Sequence, residues 1–173
     1  MLFCGINPGA YAAKHGHHFL GHGNRFWRVL YLAGFTPELI HATHDRTLIA
    51  HGCGITSAVG RPTARAADLA KLEYLQAKQA LVTKVLEYRP ARLAFLGKAA
   101  FEAMFEVRHP AWGLQAQTIA ETAIWLLPNP SGLNRGFSLE DLVEAYRALR
   151  AGCDSRGQAA DPVHSRQQLA GHG

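Results

Sequence analysis

Short apolar runs that break off at glycine, proline or asparagine recur along this chain, and longer stretches with helical spacing lie between them. Met1–Cys4, Gly54–Val59, Arg92–Leu96, Gln115–Ile119 and Ala123–Leu127 are too short for helices and read as strands. After Asn24, a candidate cap, Phe26, Val29, Leu30 and Ala33 keep the i, i+3, i+4, i+7 spacing of a helix up to Gly34. Thr36, Pro37 and Glu38 signal another helix start, and a shorter helix is expected between Asp45 and His51. A long helix runs from Glu73 to Tyr88 and stops before Pro90, and Lys98–Phe105 is a further one. Ser138 caps the last, with Glu140 and Asp141 in its first turn and Leu139, Leu142, Val143, Tyr146 and Leu149 on its buried face. Ala10–Gly23 and Gly60–Asp68 read as loops. Strands that alternate with helices predict an α/β fold, a three-layer sandwich with a central, mainly parallel sheet. Ligands of such sheets sit outside the carboxyl ends of the strands.

A length of 173 residues suits one domain, here residues 1–150. Residues 151–173 are poor in large apolar side chains and are expected to form a disordered tail. With 48% hydrophobic and 18% charged residues the chain is not disordered as a whole, and no apolar run approaches a membrane span. A soluble protein is expected. The net charge of +5 favours a polyanionic partner, though only modestly. Cys4, Cys53 and Cys153 are far apart and form no CxxC pair, so neither a disulfide framework nor a zinc ribbon is suggested. That cysteine usage, and the lack of a basic leader before the first strand, imply a cytoplasmic setting.

Two loops carry the chemistry. The first strand runs into Gly5-Ile6-Asn7-Pro8-Gly9, where Pro8 favours extended geometry at Asn7 and the glycines allow close backbone approach. A carboxamide held there can accept a hydrogen bond from water and aim it at an electrophile, or it can simply bond its own turn. The second loop follows the strand Ala123–Leu127 and reads Pro128-Asn129-Pro130-Ser131-Gly132-Leu133-Asn134-Arg135.

Together these loops resemble those of the mismatch-specific uracil and thymine DNA glycosylases, a branch of the uracil-DNA glycosylase superfamily. The likeness continues through GHHF and GNRFW (Gly16–Trp27), CGIT and RPT (Cys53–Thr63), LGK (Leu96–Lys98) and WGLQ (Trp112–Gln115), and covers about Leu2–Leu149. The resemblance implies a uracil-DNA glycosylase-like fold and a DNA repair enzyme of base excision, nucleoid-associated, that flips a mispaired nucleotide out of the duplex. It implies Asn7 as the residue that holds the attacking water, with His18 as an assisting catalytic residue. It places Ile6, Ala12, Phe19 and Ser57 at the base, the small Ala12 leaving room for a thymine methyl. Leu133 becomes the wedge that fills the vacated place in the stack, beside Gly132, Asn134 and Arg135. Asn129, Ser131 and Thr63 become contacts to the DNA backbone.

Extrusion of a nucleotide costs a few kcal/mol, less at a mispair, and stacking on an aromatic face offsets about 1 to 3 kcal/mol of that per base. Apart from the resemblance, Leu133 reads as an ordinary buried leucine, Phe19 as core, and His18 as a plain loop histidine. Ser, Thr and Asn serve more often as turn residues or caps than as phosphate donors. The HxHH spacing of His15, His17 and His18 with nearby His22 can supply nitrogen ligands, but no cysteine or carboxylate lies near enough in sequence to complete a tetrahedral set. No metal, cofactor or nucleophilic lysine is expected, and the implied partner is double-stranded DNA with G:U or G:T mispairs, handled by a monomer. The remaining alternatives are a sister-branch uracil glycosylase and a DNA-binding relative without catalysis.

Overall fold

The computed structural model describes residues 1–157. Five strands form one sheet: β1 (Leu2–Gly5), β2 (Gly54–Ser57), β3 (Arg92–Leu96), β4 (Gly113–Ile119) and β5 (Thr122–Leu127). Their spatial order is β2-β1-β3-β5-β4. All neighbours run parallel except β4 with β5, which are joined by the short turn at Ala120 and Glu121. The helices are α1 (Ala10–His15), α2 (Phe26–Leu32), α3 (Lys71–Tyr88), α4 (Ala99–Phe105) and α5 (Leu139–Gly157), with a 3-10 helix at Ala42–His51 and a single 3-10 turn at Ala66–Asp68.

Side chains of a strand alternate between its faces, and this chain uses both for burial. Phe3, Ala94, Leu96 and Leu127 face a core formed with α2, the 3-10 helix and α5, through Phe26, Val29, Leu30, Leu48, Leu142, Tyr146 and Leu149. Cys4, Leu93, Phe95, Ile124 and Leu126 face the opposite core, formed with α3 and α4 through Leu81, Val85, Phe101 and Met104. The sandwich therefore has three layers, as the alternation of elements predicts. Burial pushes the Cys4 thiol up to about 12, which makes it an inert core group. Only β4 alternates exposed and covered positions down most of its length, as an edge strand does.

Three local expectations need correction. Residues 10–23 are not all loop, because the helix-favouring run Ala10–His15 forms α1, which stops at Gly16 with φ 71°. No helix starts at Thr36–Glu38. The Thr36 hydroxyl donates to the Glu38 carbonyl instead, and helical geometry begins only at Ala42. Helix α5 continues through residue 151 to Gly157, since extending an existing helix adds a hydrogen bond for each residue fixed. Residues 158–173 of the expected tail lie outside the described residues.

The chain reverses sheet direction at β1: β2 lies on one side of it and β3 on the other. A crevice opens at such a switch point, outside the carboxyl ends of the strands. The loops after β1, β2, β3 and β5 all emerge there. A Cβ on Gly97, where φ is 107°, would lie 3.3 Å from the Ile6 side chain and 3.7 Å from that of Asn129. Three of the loops therefore meet.

Candidate active site

A cavity of about 430 Å³ occupies the crevice. Asn7, His18, Ile6, Ala12, Phe19, Ser57, Thr63, Asn129, Ser131 and Leu133 all line it, while Gly132, Asn134 and Arg135 lie outside its wall. A second hollow, of about 560 Å³ and lined by Lys71, Tyr74, Glu102, Arg108 and His109 among others, contains none of the residues singled out from the sequence.

Asn7 is fixed from the β2 side. Beyond the last residue of β2 the pairing continues, with the Ala58 and Val59 amides donating to the Gly5 and Ile6 carbonyls at 2.8 and 3.0 Å. The chain then returns past Pro8 and Gly9, where Thr63 donates to the Pro8 carbonyl and accepts at its own carbonyl from Ala10. Asn7 Nδ2 donates to the Arg61 carbonyl at 2.9 Å and to Thr63 Oγ1 at 2.7 Å. A backbone carbonyl can only accept, so the atom facing Arg61 must be the amide nitrogen. With both protons of that nitrogen engaged, Oδ1 is the acceptor the side chain has left to offer.

Thr63, expected on the DNA backbone, lies within this arrangement. It is 7% exposed, and its hydroxyl accepts from Asn7 and donates to the Arg65 carbonyl at 2.8 Å, so it offers no spare hydroxyl to a phosphate. Arg61 is itself held by a two-pronged ion pair with Glu73 at 2.6 and 2.8 Å. The Arg61 guanidinium, helped by the Ala70 amide, holds the Glu73 carboxyl down at about 2.

His18 is fixed at three points. Its backbone N–H and its ring Nδ1 both donate to Asp45 Oδ2, at 2.8 and 2.9 Å, and its carbonyl accepts from the Trp27 indole at 3.3 Å. Burial alone would raise the Asp45 carboxyl, but the His18 backbone and ring bonds outweigh it and keep the group below its ordinary value. An ionised carboxylate requires the proton on Nδ1, which leaves Nε2 of the neutral ring as an acceptor. His17 Nδ1 lies 3.6 Å from the other Asp45 oxygen, and His15 Nδ1 meets the Tyr11 carbonyl at 2.8 Å. Among the described residues no group of three or more His, Cys, Asp or Glu is placed to hold a metal ion.

Phe19 takes a positive φ of 53°, an uncommon conformation for a residue with a side chain. The payment for this strain is a ring stacked on Phe26, with centroids 4.0 Å apart and planes at 26°. A Cβ on Gly5 would come within 3.2 Å of that ring, so a larger residue there would push Phe19 aside by a few tenths of an ångström. Ser57 closes the adjoining wall in register with Gly5, and the buried Ala12 contributes only a methyl group.

Leu133 is no core leucine, for it is 75% exposed. Its loop is stapled from within. Asn129 Oδ1 accepts from the Ser131 amide, Ser131 Oγ accepts from the Leu133 amide, and Asn134 Nδ2 donates to the Asn129 carbonyl. These bonds use neither the Asn129 amide protons nor the Ser131 hydroxyl proton, which remain as donors. A Cβ on Gly132 would fall 2.6 Å from the Gly23 carbonyl oxygen, so the loop rests directly on the backbone before α2. Arg135 is exposed.

Sequence reasoning missed two residues here. Asp45 is 27 positions from His18, and no spacing rule links them. Arg25 stands in GNRFW, but nothing in that motif shows that its side chain reaches back to the loop after β5. Arg25, Phe26 and Trp27 are consecutive, and they hold respectively the Leu133 loop, the ring of Phe19 and the carbonyl of His18. Residues 1–150 match the family model described as Uracil DNA glycosylase superfamily, so this chain, with its Asn7 cavity at the sheet's switch point, belongs to that superfamily.

Proposed function

We propose that the protein removes uracil mispaired with guanine from double-stranded DNA, acting as a monofunctional, monomeric glycosylase, and that it also takes thymine or etheno-cytosine opposite guanine. The observation that carries the reading is the way Asn7 is held: the neighbouring loop takes both of its amide protons, leaving Oδ1 as its free acceptor, and the residue lines one cavity with the exposed Leu133.

The extruded pyrimidine enters between Phe19 and the Ile6 backbone, while Leu133 fills the vacated place in the stack. Water hydrogen-bonded to Asn7 Oδ1 attacks the anomeric carbon as the bond to the base nitrogen breaks. The electron pair of that bond leaves with uracil, and the water's proton passes to solvent or to the departing base. A carboxamide is no strong base, so it contributes by placing the water, and effective positioning can supply several kcal/mol. His18, held by Asp45, supplies a second acceptor at the cavity wall. Among the described residues no lysine lines the cavity, which supports hydrolysis without a Schiff-base intermediate. Ala12 leaves the space for a thymine methyl, which supports the wider substrate range.

Asn7→Ala tests the reading. An end-labelled G:U duplex treated with alkali is cut by the wild-type protein, whereas the variant binds the duplex and leaves it intact. Equal cutting by both would remove Asn7 from the mechanism, and no cutting by either would leave a DNA-binding relative. Faster excision from single-stranded than from mispaired DNA would favour a sister branch.

A further inference from the structure

The guanidinium of Arg25 donates to four backbone carbonyls of one loop: Phe137 at 2.7 Å, Asn134 at 2.8 Å, Ser131 at 3.2 Å and Pro130 at 3.4 Å. The Arg25 backbone amide donates to the Pro130 carbonyl as well, at 3.0 Å. No carboxylate is among these partners. A half-buried cation surrounded by carbonyl oxygens is solvated by the loop as water would solvate it, and the loop in turn is bent around the cation. Among side chains only arginine carries five donors in a flat fork, so it alone can satisfy carbonyls that converge from several directions in one plane. The tip of this loop is Leu133, an apolar side chain left in water.

An exposed leucine has no packing of its own to fix its position. Something else must define where it stands: the bonds of Asn129, Ser131 and Asn134 shape the loop from within, and the Arg25 fork and the Gly132–Gly23 backbone approach fix it to the rest of the protein. We infer that Arg25 is the positioning residue that sets the Leu133 tip before DNA is met. The inference rests on the proposed role of Leu133 as a wedge. With the tip already set, no ordering of the loop has to accompany opening of the duplex. Arg25 does not line the cavity, and its donors face the protein, so its loss acts through the tip. A wedge has work to do only where a partner strand closes behind the extruded nucleotide. Single-stranded DNA therefore does not need it.

Arg25→Gln and Gly132→Ala, the second displacing the same tip without altering charge, are to be compared with wild type in single-turnover excision. The substrates are a G:U duplex and a uracil-containing single strand. Misplacement of the tip by about 1 Å predicts a loss on the order of 10²-fold on the duplex, with the single strand cut within a few-fold of wild type. Arg25→Lys, with three donors and no fork, falls between. Equal loss on both substrates, or none on the duplex, would overturn the inference. If wild type cuts neither substrate, the glycosylase reading fails on its own, and amide hydrogen exchange then decides the point. Faster exchange across residues 131–136 in Arg25→Gln supports Arg25 as the anchor, and unchanged exchange refutes it. That readout also covers a variant that is poorly folded overall, since there exchange rises in β1 and β3 as well, which counts against a local role.

Discussion

One oxygen of Asp45 accepts both the backbone N–H and the ring Nδ1–H of His18, at 2.8 and 2.9 Å, although 27 positions separate the two residues. The pair sets the tautomer of the imidazole in the cavity wall. Asp45→Ala is therefore expected to slow excision from a G:U duplex as much as His18→Ala does, by at most about 10²-fold. The double variant should be no slower than either single one, because both remove the same unit. Fully additive losses would separate Asp45 from His18. The sign of the pH dependence follows from the depressed Asp45 carboxyl: its contribution to stability is complete above the ordinary value of 3.8 and is lost as pH falls through the lower folded value.

Thr63 gives Asn7 the second of its two donor bonds. Thr63→Val keeps the shape of the side chain and removes the acceptor, leaving the carboxamide held by the Arg61 carbonyl alone. Steady-state kinetics should show kcat reduced by up to about 10²-fold with KM little changed, and Thr63→Ser should restore most of the rate. A rise in KM alone would mean that Thr63 meets the substrate rather than Asn7.

The Arg61 carbonyl that receives the other Asn7 proton belongs to a residue pinned by Glu73. Because Glu73 is held at about 2 against an ordinary 4.5, this ion pair contributes fully above pH 4.5 and fades as pH falls towards 2. Glu73→Gln retains an oxygen for the Ala70 amide, so it isolates the charge. The small difference in Tm between wild type and this variant should stay constant from pH 7 to 5 and close below 4.5. The pair is exposed, so salt should reduce the difference as well.

At the start of α5, the Asp141 amide donates to Ser138 Oγ at 3.1 Å while the Ser138 amide donates to Asp141 Oδ2 at 2.8 Å. Ser138→Ala removes one arm of this reciprocal cap. Thermal denaturation should show a loss of about 1 kcal/mol, or roughly 2 to 4 °C in a domain of this size, with excision from a G:U duplex unchanged.

How much of this was legible depends on how local each cause is. The strands could be read because Phe3 and Cys4, or Phe95 and Leu96, put apolar groups on both faces, and Ser138 announced α5 by a cap that acts within three residues. Thr36 carried the same type of signal and misled, since its hydroxyl bonds the Glu38 carbonyl and caps no helix. α1 was hidden because six residues are too few for a periodic pattern to show. Within the site, the loops of Asn7 and Leu133 stood out by their glycines and prolines. The residues that fix the site's side chains were less legible: Asp45 reaches His18 across 27 positions and Arg25 reaches the Leu133 loop across more than 100, while Thr63, singled out as a DNA contact, holds Asn7 across 56.

The first turn of α2 acts as a common mount. Arg25 carries the leucine tip, Phe26 backs the aromatic wall, and Trp27 tethers the imidazole's backbone. A core substitution that slides this short helix along its axis would displace all three together, so the leucine tip and the aromatic wall cannot be moved separately from that side. Independent adjustment is available across the cavity, where Ala12 and Ser57 are carried by other elements.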